Sequence, residues 1–155
     1  MAQEIWWCID DSDLDLRNTT YRLFVEFGRA PTAREVAMAI GSDNETVRAG
    51  WHRLHDAHAL VLRRGADEIR MANPFSAIPT AYRVLVDDRW WHANCAWDAF
   101  GVCAALRADG HIETSCADCG EPLTVNVTNE TPDDPTLLFH CLVPASQWWD
   151  DIVFT

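Results

Sequence analysis

Hydrophobic positions along the first half of the chain fall on helical spacing in three successive stretches. In residues 14–28, Leu16, Tyr21, Leu23, Phe24 and Phe27 recur on one face, and Gly28 follows as a stop. Pro31 and Thr32 then open a second stretch, with Thr32 as N-cap and Glu35 three residues on, a capping box. Val36, Ala37, Ala39 and Ile40 give it an apolar face, and Gly41 ends it. Ser42 or Asp43 caps a third helix that reaches about His58, with Val47, Trp51 and Leu54 on one side. Two short helices joined by a Gly-containing turn suggest a helix-turn-helix. The next segment, ALVLRRGADEIRMANP, reads as a β-hairpin turning at Gly65.

The pattern changes after residue 73. Pro74 and Pro79 punctuate a segment that reads as a linker. Residues 81–87 (AYRVLVD) alternate as a strand, and 88–91 as a turn or strand pair. Asn94 is placed to cap a helix, CAWDAFGVCAALRADG, ending at Gly110. HIETSC and LTVNVT read as strands around a CADCGEP turn, TNETPDDPT as a polar loop, and LLFHCLVP as a further strand. The expectation is an α+β chain: a loose arm over 1–13, a winged-helix-like helical domain over 14–73, and a core over 74–155 of mixed or antiparallel strands with one central helix.

Composition narrows the function classes. The 155 residues are 48% hydrophobic, which excludes a disordered chain. No apolar run approaches the roughly 18 residues of a membrane span, and the acidic start lacks the basic region of a secretory signal. A cytoplasmic location is the default, where cysteines are more often ligands or reactive thiols than disulfide partners. The net charge is −12, and all 12 basic residues are Arg. Such a chain is a poor non-specific binder of nucleic acid or anionic membrane. One stretch departs from this: residues 47–70 carry Arg48, Arg53, Arg63, Arg64 and Arg70 against three acids. A winged-helix transcription regulator using that stretch is therefore one alternative function.

Three groups of residues carry candidate chemistry. Cys95 and Asp98 stand i, i+3 at a helix N-terminus, which puts a thiol beside a carboxyl group. The helix dipole and free N–H groups favour a thiolate there, and a neighbouring carboxyl can hold or deliver a proton. The plainer reading is a buried structural Cys beside an Asp that offsets the dipole. Cys116 and Cys119 form a CxxCG turn, which suits half of a zinc site, a redox pair or idle thiols equally. Six of the eight Trp occur as pairs, Trp6-Trp7, Trp90-Trp91 and Trp148-Trp149. On strands each pair would send one ring inward and one outward. They serve either ordinary packing or an aromatic wall for an apolar ligand near Cys95. Cys103 reads as core, and Cys8 and Cys141 have no role from pattern alone. His55 and His58 suit either a metal or ordinary helix packing.

In order and spacing, these segments resemble the alkylmercury lyase (organomercurial lyase) family: the helical unit, FSAIPTAYRV, a Trp-rich strand, CAWD opening a helix, and SCADCGEPLTV. The resemblance covers about residues 14–155 and implies cleavage of the carbon–mercury bond of organomercurials to a hydrocarbon and Hg(II). Under it, Cys95 matches the mercury-binding thiolate, and Asp98 matches the acid that delivers a proton to carbon. Cys116 matches a recurring structural cysteine. No cofactor is implied beyond Hg(II) as bound product; zinc at Cys116 and Cys119 is a separate expectation from their spacing. The implied partners are small thiols or mercuric reductase as Hg(II) acceptors. The family's second catalytic cysteine is expected just past WWDDIVFT, so the core reads as C-terminally truncated at Thr155. Cys116, Cys119 and Cys141 are the substitute thiols. A catalytically impaired mercury- or zinc-binding protein is the other alternative.

Overall fold

A computed structural model describes residues 9–141 and 143–153. Helix α1 (Asp11–Phe27) starts ahead of the expected Leu14, because Asp10 caps it by accepting from the Asp13 N–H at 2.8 Å. Gly28 ends it in the left-handed region at φ +68°. Helix α2 (Ala33–Ile40) has the expected capping box between Thr32 and Glu35. Helix α3 (Asn44–Asp56) is capped by Asp43, whose side chain accepts from the Thr46 N–H. The three helices close on Leu16, Leu23, Phe24, Val36, Val47, Trp51 and Leu54, all buried. The Trp51 indole N–H donates to the Thr20 hydroxyl at 3.0 Å, and that hydroxyl donates to the Leu16 carbonyl at 2.8 Å. No buried polar atom of the pair is left without a partner.

The strands that follow are β1 (Val61–Leu62), β2 (Ile69–Ala72), β3 (Phe75–Ser76), β4 (Tyr82–Val86), β5 (Arg89–Ala93), β6 (Gly110–Ser115), β7 (Pro122–Thr128) and β8 (Thr131–Pro132). Among the described residues they form one antiparallel sheet in the order β1-β2-β3-β5-β4-β6-β7-β8. Helix α4 (Ala96–Leu106) packs on β4, β5 and β6 through Ala99, Val102 and Cys103. The class is α+β. Alternation is clear on β7, where Val125 and Val127 are buried between exposed neighbours. The Trp90-Trp91 pair divides as expected: Trp91 is buried, while Trp90 is exposed under the Arg83 guanidinium at 4.1 Å.

Several expectations change. The Pro-punctuated segment after residue 73 is a strand rather than a linker. Phe75 pairs with both Ala72 and Ala93, which makes the sheet continuous. Helix α4 stops at Leu106 with Arg107 left-handed, and Gly110 begins β6 instead of ending the helix. The polar loop after β7 turns back as β8 and occupies that sheet edge. Residues 137–141, expected to be a strand, form none; Leu138 is 95% exposed and Phe139 instead faces the Trp97 ring at 5.9 Å. Trp148 and Trp149 lie on a 3-10 helix, Ala145–Asp150, rather than a strand. Trp6, Trp7 and Cys8 lie outside the described residues.

The arginine-rich stretch is largely paired. Arg53 holds Asp13 through two contacts of 2.8 and 2.6 Å, and Arg48, Arg63 and Arg64 meet Asp67, Glu68 and Asp151. This leaves little of the local positive charge uncompensated for a phosphate backbone. Among the described residues, no helix is long and apolar enough to cross a membrane.

Candidate active site

The site forms where β5 runs into α4. Cys95 occupies the N-cap position with extended backbone, so its carbonyl accepts the first helical bond from the Ala99 N–H at 3.0 Å. Its side chain makes no capping bond, and the residue lines a cavity of about 550 Å³. Asp98, one helical turn on, lines the same cavity. The wall is aromatic: Tyr82, Trp97, Phe139 and Trp148. Cys141 and His140 also border it. The aromatic wall that the tryptophans suggested is thus present, but its rings come largely from outside the paired tryptophans.

Electrostatics at the site differ from the simple helix-dipole expectation. Burial pushes the Cys95 thiol up, against the N–H groups of Asp98 and Trp97, which favour the thiolate; charge on Asp98 and Cys141 raises it further. The resting site therefore favours a thiol over a free thiolate. Burial likewise pushes the Asp98 carboxyl above its ordinary range, partly opposed by a hydrogen bond from Asn94. A carboxyl group so held keeps a proton more readily than a surface aspartate.

Asn94 is the residue whose place the sequence pattern missed. Expected as the helix cap, it instead donates through Nδ2 to Asp98 Oδ2 at 2.9 Å. The same amide reaches Asn73 Oδ1 at 3.2 Å and the Pro74 carbonyl at 3.3 Å, which ties the helix start to the β2–β3 turn. Its Oδ1 is buried without a protein partner. The i, i+4 spacing of Asn94 and Asp98 was the available signal.

The other candidates separate. Cys116 and Cys119 sit on the β6–β7 turn, half-buried and exposed respectively, and are not in the cavity wall, although Ala117 and Asp118 between them are. Among the described residues no third His, Cys, Asp or Glu joins them as a metal ligand. The pair therefore does not fit the four-ligand zinc site raised by its spacing. Of the three substitute thiols, Cys141 alone borders the cavity with Cys95. Cys103 is buried in the α4 core. His58 stacks on Trp149 at 4.1 Å, and His55 lies 3.3 Å from the Leu60 carbonyl; among the described residues neither belongs to a group of three or more possible metal ligands.

Comparisons with known proteins match the chain to one family model and to solved structures. A family model described as alkylmercury lyase (MerB) matches residues 75–155, just over half of the chain. The crystal structure of the mercury-bound form of MerB2 superposes with a TM-score of 0.69 at 24% identity, over 86% of this chain. This chain spans 64% of the length of that one. No curated protein matches in sequence.

Proposed function

Because the chain belongs to the alkylmercury lyase family, we propose that it cleaves carbon–mercury bonds, with Cys95 binding mercury and Asp98 handling the proton. The observation that carries this is the shared placement of Cys95 and Asp98, one helical turn apart, in a half-buried cavity with aromatic walls. An organomercurial is apolar at its organic end and thiophilic at its metal, and the cavity offers rings to the one and sulfur to the other.

In the first step the Cys95 S–H proton leaves to the Asp98 carboxylate, and a sulfur–mercury bond replaces the bond from mercury to its incoming ligand. The raised pKa of the Cys95 thiol makes metal capture, rather than a standing thiolate, the event that removes its proton. Asp98 then gives its proton to the mercury-bound carbon. The carbon–mercury electron pair becomes the new C–H bond, the hydrocarbon leaves, and Hg(II) stays on sulfur. Proximity supplies much of the rate, since donor and acceptor share one turn of a rigid helix. Cys141 contributes a second sulfur to the same ion, and small thiols or mercuric reductase remove it. Asn94 acts through Asp98 as a positioning residue. Residues 14–73 serve as a winged-helix-like scaffold.

Methylmercury or phenylmercury incubated with the protein and excess thiol should release methane or benzene. Cys95→Ser should abolish the release, and Asp98→Asn should leave mercury bound with the carbon–mercury bond intact. Well-folded protein that binds the organomercurial and releases no hydrocarbon would refute the lyase reading.

A further inference from the structure

We propose that the Cys116–Cys119 turn is a second, surface dithiol site, which takes up the thiophilic ion as it leaves the cavity. Cys116 closes β6 and the turn is fixed on both sides: its N–H donates to the Glu121 carbonyl at 2.9 Å, and its carbonyl accepts from the Gly120 N–H at 2.9 Å. Gly120 is left-handed at φ +74°, which lets the chain curl so that both cysteines fall on one short arc. Cys119 is exposed and Cys116 half-buried, so both sulfurs can be reached from solvent. The residues between them, Ala117 and Asp118, are part of the wall of the Cys95 cavity. The dithiol thus flanks two residues that line the cavity of the proposed reaction.

The donor set selects the ligand. Zinc would need four donors, and no third His, Cys, Asp or Glu joins this pair among the described residues. Two sulfurs alone satisfy a soft, low-coordinate ion.

The transfer is ligand exchange with no change of oxidation state. Cys116 sulfur bonds to the ion first and Cys119 sulfur second, each giving its proton to solvent. The Cys95 and Cys141 sulfurs leave the ion, and each regains a proton. This role rests on the proposed function, which supplies the ion; the dithiol's capacity to bind it does not.

Mercuric chloride added to the full chain, with glutathione as competitor, tests the site by native mass spectrometry. The wild-type chain should retain two ions, Cys119→Ser one, Cys95→Ser one, and the double variant none. After a single ion is loaded, its loss to added glutathione should be slower in Cys119→Ser than in wild type. Equal retention and equal loss in Cys119→Ser and wild type would overturn the proposal. So would a disulfide between the two cysteines, in freshly reduced protein, that takes up no mercury. Hydrocarbon release measured in parallel keeps the two readings apart. A chain that binds mercury at the turn but releases no hydrocarbon retains the dithiol and loses the lyase reading.

Discussion

At the scale of single residues, the site turns on how Asp98 is held. Its ordinary pKa is 3.8, and burial raises it in the fold. The folded state therefore binds this proton more tightly than the unfolded chain does. Its stabilising contribution is complete below about pH 3.8 and is lost as pH rises through the higher folded value. Asp98→Asn carries no such charge and can still accept from Asn94. The variant should be more resistant to urea than wild type at pH 7, with the difference shrinking towards pH 4, while hydrocarbon release is lost. Asn94→Ala removes the one interaction that lowers Asp98, so the carboxyl should titrate at a still higher pH. Carboxyl-carbon NMR of Asp98 reads this directly, and an unchanged midpoint would remove Asn94 from the positioning role. Cys95 and Asp98 were legible in the sequence because i, i+3 spacing at a helix start is a local fact. Asn94 was misread for an equally local reason. An Asn before a helix signals a cap, yet the chain enters α4 one residue later and the amide turns to the carboxyl group instead.

At the scale of elements, the first three helices were legible because caps and apolar spacing agree, apart from the start of α1, which Asp10 moves forward to Asp11, and the end of α3 at Asp56. Arg29 and the Thr32 N–H hold Glu35 at about 2, so its contribution to the box is present above its ordinary value of 4.5 and fades as pH falls towards about 2. Thr32→Ala should cost about 1 kcal/mol in urea denaturation at neutral pH, the usual size of a lost N-cap. Gly50 is the opposite case. In an open helix Gly→Ala is expected to gain about 1 kcal/mol, but a Cβ here would fall on the Leu16 side chain of α1. Gly50→Ala should therefore lower the denaturation midpoint; a raised one would mean that α1 yields easily. What stayed illegible depends on distant partners. Phe75 and Ser76 read as a linker because prolines flank them, yet they gain strand geometry from β2 and β5. Residues 137–141 are apolar enough for a strand, but they pair with no strand and Phe139 packs by the Trp97 ring instead.

At the scale of the molecule, the helical unit and the sheet are joined at a point that also supports the site. The Phe24 ring stacks on Phe75 at 5.5 Å, Phe75 meets Trp91 at 5.0 Å, and the Arg89 guanidinium donates to the Val25 carbonyl at 2.8 Å. One hydrophobic cluster runs from Leu16 on α1 to Val127 on β7. Phe75 is 2% exposed and lies one residue past Pro74, whose carbonyl receives the Asn94 amide. Loss of this ring should then act at both ends of the molecule. Phe75→Ala is expected to cost about 3–5 kcal/mol, the range for deleting a buried aromatic side chain. Helical circular dichroism reports mainly on α1–α3, and tryptophan fluorescence reports on both units. If the cluster makes them cooperative, the two signals should fall together in wild type and in Phe75→Ala, at a lower denaturant concentration in the variant. Separate midpoints in the variant alone would identify Phe75 as the coupling residue. Separate midpoints already in wild type would mean that the sheet and α4 fold without the helical unit.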